Sequence, residues 1–401
     1  MSKGYLIVNV YLETIAEPVE GATVIITGEN YERTYSTNSD GKTETIELDA
    51  PNVEYSLKPE YTVKPYSTYD LTVTKPGLNT VIIKKVEILP GETSFQDVYM
   101  KADNSTDIIN LPEHELWEPS PGKGEQQFTE NPDMLRILPR VIIPEYVIVH
   151  DGVPTATAAR HVVPFTDYIK NVASSEIFST WPLESLRANV HAIVSFTLNR
   201  IFTEWYPSRG FNFTITASPA FDQKYTHNRT IFQSISNVVD EMFRYYIRLS
   251  GTTFPFFAQY NDGVKTNIPG RLSQWGSVEQ ANRGLNAIQI LRHFYTPNLG
   301  LFVAEEIVGL PTSFPGFNLR VGSCGNEVLA VQTRLNRIRA NYPGIPAISP
   351  ANGEFGESTR RSVETFQRVF NLPVTGVIDI ATWLRITYLF TAVARLQQGA
   401  R

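Results

Sequence analysis

Leu319-Arg-Val-Gly-Ser-Cys-Gly-Asn-Glu-Val-Leu-Ala-Val-Gln-Thr-Arg-Leu335, then Asn352-Gly-Glu-Phe-Gly-Glu-Ser-Thr-Arg-Arg-Ser-Val-Glu-Thr-Phe-Gln367 and Leu372-Pro-Val-Thr-Gly-Val-Ile-Asp-Ile-Ala-Thr-Trp383, form the most legible stretch of this 401-residue chain. Val328, Val331 and Leu335 recur at three- and four-residue steps, as do Val363 and Phe366, so each set lines one face of a helix. Glycines stand before each helix, where a sharp turn needs a positive φ. Asn352-Gly-Glu-Phe-Gly-Glu-Ser-Thr and Thr375-Gly-Val-Ile-Asp-Ile-Ala-Thr echo each other: a turn, a short apolar pair, a capping residue, a helix. The stretch predicts a helical unit over about 318–395, with Trp383 in its core.

This pattern resembles the three-helix peptidoglycan-binding domain over nearly its whole length. The resemblance implies peptidoglycan as a partner. Most of the Gly, Val, Phe and Trp residues build the fold, so ligand contact would fall to polar groups near the turns. Arg320, Gln332 and Arg360 are the candidates.

A second informative stretch runs from Phe165 to Thr197. Ile169, Val172, Ala173 and Glu176 fall at i, i+3, i+4 and i+7, so Glu176 ends an apolar helical stripe. A carboxylate against apolar surface is costly to charge, which raises its pKa and suits a general acid. The competing reading is a helix-terminal Glu that reaches solvent or meets a cation. The region 141–312 mixes helix and strand: helices are predicted over about 166–177, 182–206, 235–249 and 276–295, and a strand-like piece over 211–216.

The stretch is similar to the SpoIID/LytB domain, on Tyr168, Val172, Ser175, Glu176, Trp181, Pro182, Glu184, Leu186 and Ala188. Further matches are Gly270-Arg-Leu-Ser-Gln-Trp-Gly-Ser277 and the thinner Gln223-Lys-Tyr225. The resemblance implies an α+β catalytic domain, lytic transglycosylase activity on glycan strands, and Glu176 as the catalytic acid. It makes Gln223, Tyr225, Ser273, Gln274 and Trp275 candidates for holding sugar, with loop and core packing as the alternative for each. Some members carry a Cys/His metal site near Gln-x-Tyr, but residues 216–223 hold neither type. No cofactor and no metal are expected. Glu184 is expected to cap the helix that it begins.

Residues 1–102 alternate with period two between turn signals, which predicts a β-sandwich. Pro18-Val-Glu-Gly-Ala-Thr-Val24 and Thr37-Asn-Ser-Asp-Gly41 resemble small prealbumin-like domains. Residues 103–140 have the composition of an acidic, Pro-rich linker. Net charge is −6, but residues 1–140 carry −11 and the remainder +5. A basic rear suits an anionic polymer, although ordinary surface variation would give the same numbers. One cysteine, Cys324, excludes an intrachain disulfide and a Cys-based metal site. No apolar run is long enough for a membrane span, and the N-terminus reads as a strand rather than a secretory signal. The domain order resembles that of clostridial spore cortex-lytic enzymes. It implies a precursor found in the cortex or coat region of the spore and cut by a germination protease between about Leu135 and Tyr146. No nucleic acid or membrane partner is expected. A muramidase-type hydrolase and a non-catalytic wall-binding protein that stimulates an enzyme are the alternatives.

Overall fold

The computed structural model describes residues 2–61, 63–114, 116, 138–308 and 314–399. Most of the predicted linker, the front of the predicted cleavage window (135–137) and the predicted end of the middle region (309–312) lie outside these residues.

The N-terminal region is built from β1 (Ser2–Leu12), β2 (Thr23–Gly28), β3 (Tyr31–Ser36), β4 (Ile46–Ala50), β5 (Ser67–Thr74), β6 (Thr80–Ile88), β7 (Thr93–Met100) and β8 (Thr106–Asn110). Alternation puts Leu6, Val8 and Val10 of β1 and Leu71 and Val73 of β5 into one core shared by two sheets. One sheet has the order β3-β2-β5-β6-β8. In the other, β1 runs parallel to β7, from Tyr5 opposite Thr93 to Leu12 opposite Met100, and antiparallel to β4. Strand β8 lies inside the predicted linker, because Thr106 to Asn110 alternate and pair in parallel with β6. The β-rich unit therefore continues beyond residue 102.

The middle region contains β9 (Ile142–Ile143), β10 (Tyr146–His150), β11 (Arg160–Pro164), α1 (Phe165–Glu176), α2 (Leu183–Phe202), β12 (Ile215–Thr216), β13 (Ile231–Phe232), α3 (Gln233–Met242), β14 (Tyr245–Leu249), β15 (Tyr260–Asn261), β16 (Leu272–Ser273), α4 (Gln274–Asn282), α5 (Ala287–Phe294), β17 (Leu299–Val303) and β18 (Glu306–Ile307). Helix α2 is buried on nearly every side, which marks it as the axis of the unit. Two helix predictions are corrected. The helix expected over 235–249 stops at Met242, because Tyr245-Tyr-Ile-Arg-Leu249 pairs antiparallel with β17. The helix expected over 276–295 is two helices: Gly284 breaks it at φ 89°, and Asn286 starts α5 with a capping box to Gln289. Of the strand expected over 211–216, only Ile215–Thr216 is extended in a sheet.

The C-terminal region has α6 (Asn326–Ile338), α7 (Glu357–Val369) and α8 (Ile380–Gly399) around Val328, Val331, Leu335, Val363, Phe366 and Trp383. The two echoed turns have a shared cause. Gln332 on α6 accepts from the Gly353 amide and donates to the Glu354 carbonyl. Gln367 on α7 accepts from the Thr375 and Gly376 amides and donates to the Val377 carbonyl.

The regions are joined by more than chain. Strand β13 of the middle region adds to the N-terminal sheet by pairing with β7. Buried Arg229 donates to Glu87 at 2.7 Å and to the Ser174 carbonyl at 2.8 Å. His114 completes this cluster, and burial pushes its pKa down to about 4, so it stays neutral. Lys42 of the β-rich region donates to the Val369 carbonyl and to Asn371 of the helical region. Arg385 of α8 pairs with Asp167 in the first turn of α1 at 2.6 Å.

Breaking a buried pair strands a charge. Arg229→Met, which leaves Glu87 without its cation, is expected to cost about 3–5 kcal/mol. Arg283→Ala, which breaks an exposed pair with Glu279, should cost under about 0.5 kcal/mol. Denaturant midpoints of the first unfolding transition measure both, and equal effects would contradict the role given to the cluster.

Candidate active site

Glu176 is the last residue of α1, and the chain leaves the helix at Ile177 in extended conformation. Ile169, Val172 and Ala173, on the same stripe, are fully buried, and the stripe carries Glu176 inward with them. Its side chain is 0% exposed, which removes the solvent-reaching alternative. The Lys224 amide donates to Oε1 at 2.7 Å, and the Tyr260 hydroxyl donates to Oε2 at 2.5 Å. Burial pushes the Glu176 pKa up to about 8, against the opposing pull of these two donors. The group is therefore a neutral acid at pH 7 with its conjugate base already provided with hydrogen bonds.

The residues around it come from separate elements. Gln274, at the start of α4, donates to the Glu176 carbonyl at 3.3 Å and is fully buried. Gln223 accepts from Tyr168 and Thr197 and donates to Tyr260 and to the Ile193 carbonyl. The sequence offered Gln223 as a candidate for holding sugar, with core packing as the alternative. Its amide is instead fully buried and engaged within the protein. Ser273 caps α4 by accepting from the Gly276 amide. Half-buried Trp275 packs on Trp181 with ring centroids 5.1 Å apart. Ser273 and Trp275 line a groove of about 520 Å³, together with Leu57 and Pro59 of the N-terminal region.

That region covers the neighbourhood of Glu176. The Ser56 carbonyl accepts from the Trp181 indole at 2.8 Å, and the Ser56 hydroxyl accepts from Thr180 at 2.7 Å. His114 lies 4.6 Å from the Phe178 ring, and the Lys224 ammonium donates to the Glu113 carbonyl.

Other sequence candidates lie elsewhere. Tyr225 stacks on Tyr168 and lines an 880 Å³ cavity where the three regions meet, with Asp97, Asp167 and Arg385. Arg320 is exposed on the helical region. Gln332 is buried as a turn clamp, which corrects its reading as a glycan contact. Arg360 is held by Glu357 and Glu364 on its own helix. Glu184 does not cap its own helix: it pairs with Arg187 and accepts from the Ala287 amide at the start of α5. Tyr260 and the Lys224 amide escaped the sequence reading. A backbone donor has no sequence signature, and Tyr260 sits in a strand too short to show a period.

Among the described residues no group of three or more His, Cys, Asp or Glu side chains is placed to hold a metal ion. Among them, too, no helix is long and apolar enough to cross a membrane.

Residues 324–386 match the family model described as "Putative peptidoglycan binding domain". No curated protein matches the chain. Among solved structures, the SleB N-terminal domain is 27% identical over 19% of this chain and 97% of its own length, with a TM-score of 0.17. The Bacillus anthracis TIE protein is 20% identical over 25% of this chain and 17% of its own length, with a TM-score of 0.20. The chain is thus multidomain, with a β-rich N-terminal region and a helical C-terminal region that contains a peptidoglycan-binding domain.

Proposed function

We propose that this chain is the precursor of a spore cortex-lytic enzyme of the SleC type, a lytic transglycosylase with Glu176 as its acid and base. The observation that carries the reading is the buried, neutral Glu176 carboxyl with a donor fixed on each oxygen. It supplies what protonation of a glycosidic oxygen requires.

Glu176 gives its proton to the oxygen leaving C1 of N-acetylmuramic acid, and positive charge develops on the ring. The carboxylate left behind takes the proton of the C6 hydroxyl, which attacks C1 and closes a 1,6-anhydro ring. No water is consumed, and one carboxylate serves both steps. Two other acids of the middle region have engagements of their own: Asp222 is held by Arg200, Tyr206 and Thr216, and Glu184 by Arg187 and Ala287. A two-carboxylate hydrolase that used either would need it free. The wall-binding domain would keep the chain on its polymeric substrate.

In the intact chain Glu176 has no exposure, and Ser56 is bonded to the Thr180–Trp181 corner. We read this as the closed state of a precursor, in which a glycan strand has no path to the acid. Pro139 and Arg140, inside the expected cleavage window, are exposed, whereas Val141 and Ile143 are buried beside β18.

Mass spectrometry of fragments released from purified spore cortex tests the reading. The chain cut by limited proteolysis between residues 114 and 141 should release 1,6-anhydro-muramic ends, the intact chain at least tenfold less, and cut Glu176→Gln none. Reducing ends would replace the lyase by a hydrolase, and release by the Gln variant would remove Glu176 from the chemistry.

The buried acid also makes stability depend on pH. Between 4.5, its ordinary value, and about 8, the folded chain holds a proton that the unfolded chain has released. Stability is therefore lost as pH rises through that window. Thermal melts should show Glu176→Gln gaining on the native chain from pH 5 to 8 and holding a constant lead above it. A pH-independent difference would contradict the burial argument.

A further inference from the structure

The hydrogen bonds behind Glu176 have a direction. The Ile193 carbonyl can only accept, and it lies 3.2 Å from one end of the Gln223 amide. That end must therefore be the nitrogen. The oxygen then faces the Tyr168 hydroxyl at 3.1 Å, which can donate to it, and the Thr197 hydroxyl at 2.8 Å, whose one hydrogen is shared with the Ile193 carbonyl at 2.9 Å. The second hydrogen on the Gln223 nitrogen points to the Tyr260 oxygen at 3.1 Å. Tyr260 accepts there, so its own hydrogen goes to the Glu176 Oε2. On the other side the Lys224 amide reaches Oε1 and can only donate.

We propose that Gln223 is a positioning residue that acts through Tyr260, fixing its hydroxyl as a one-way donor so that the acid proton of Glu176 rides on a lone pair free for a ligand. The inference rests on Glu176 being the acid of the proposed reaction. The Lys224 amide has no lone pair for the proton, and the Tyr260 oxygen already accepts from Gln223 while it donates to the carboxyl. The proton leaves only toward a group that can accept it, such as a glycosidic oxygen. Once it has left, both carboxylate oxygens already hold a hydrogen bond, with no reorganisation. The orientation is inherited from a carbonyl of α2, a helix buried on nearly every side.

Tyr260→Phe removes the donor and keeps the ring; Gln223→Met keeps the approximate shape and removes both amide functions. Each is paired with its Glu176→Gln counterpart in the intact chain, and thermal melts follow the gap within each pair from pH 5 to 10. With the donor gone, the gap should keep widening about one to two pH units beyond the native pair, since a hydrogen bond to a charged group is worth roughly that much. Gln223→Met should move the window the same way, and the Tyr260→Phe, Gln223→Met double variant should match Tyr260→Phe alone. In the proteolytically opened chain acting on cortex glycan, both single variants should lower kcat about tenfold with KM unchanged.

A residue that only supports the fold would change melting equally at every pH. A native window in Tyr260→Phe, or a Gln223→Met effect that persists undiminished when Tyr260 is already Phe, overturns the proposal. Native kcat in both variants, with Glu176→Gln inactive, overturns it as well. Full activity of Glu176→Gln sinks the enzymatic reading instead, while the melts still report on the relay.

Discussion

A carboxyl group taken wholly out of water has two stable fates: it pairs with a cation, or it stays protonated. Both fates occur in this chain. Glu87 takes the first, because Arg229 and neutral His114 surround it. Burial pushes against ionisation there, but Arg229 and His114 hold the carboxyl below its usual range. Glu176 takes the second. Its hydrogen-bond donors are neutral, and burial outweighs them and the weaker pull of the Lys224 charge. The same helix turn serves both groups, since the Ser174 carbonyl accepts from Arg229 and Glu176 lies two residues on. The chemistry proposed for the chain depends on that difference in partners and not on any difference in burial.

The two groups also tie the acid to the covering region. Arg229 reaches from the middle region to Glu87, β13 completes the N-terminal sheet, and Ser234 donates to Glu92 at 2.6 Å. None of these contacts involves the linker. A cut between residues 114 and 141 removes the covalent tether and leaves every one of them in place. Opening the path to Glu176 is therefore a separate physical event, in which the contacts of Ser56 with Thr180 and Trp181 must yield. They are neutral hydrogen bonds, weaker than the buried ion pair of Arg229 with Glu87.

Much of this organisation was legible in the sequence. The period-two strands of the first hundred residues, the helical stripe ending at Glu176 and the echoed turns of the C-terminal unit all follow from side-chain periodicity. What escaped reading has a common cause. Strand β14 reads as helix in the sequence because Ile235 to Leu249 keeps apolar residues at helical steps, and its pairing with β17 makes it a strand. Strand β8 reads as linker because five residues beside a polar turn look alike in both states. Tyr260 and the Lys224 amide are drawn to Glu176 from 84 and 48 residues away, a proximity no local pattern encodes.

The glutamines show the same limit from the other side. Gln223, Gln274, Gln332 and Gln367 are all buried, and each bonds with backbone or side chains of another segment. A glutamine carries a donor and an acceptor on one flexible stem, so it can staple a loop that offers both an amide and a carbonyl. The same pair of functions suits a sugar hydroxyl, so three of them stand as candidates for holding a glycan when the sequence is read through its family resemblances. Gln223 and Gln332 have both nitrogen and oxygen engaged inside the protein, whereas Gln274 bonds through its nitrogen and its oxygen has no partner among the described residues. Gln223 differs from Gln332 and Gln367 in what stands next in line: its nitrogen passes orientation on to a hydroxyl, and that hydroxyl touches the acid. An amide that closes a turn in one region thus becomes, in another, the element that gives a proton its direction.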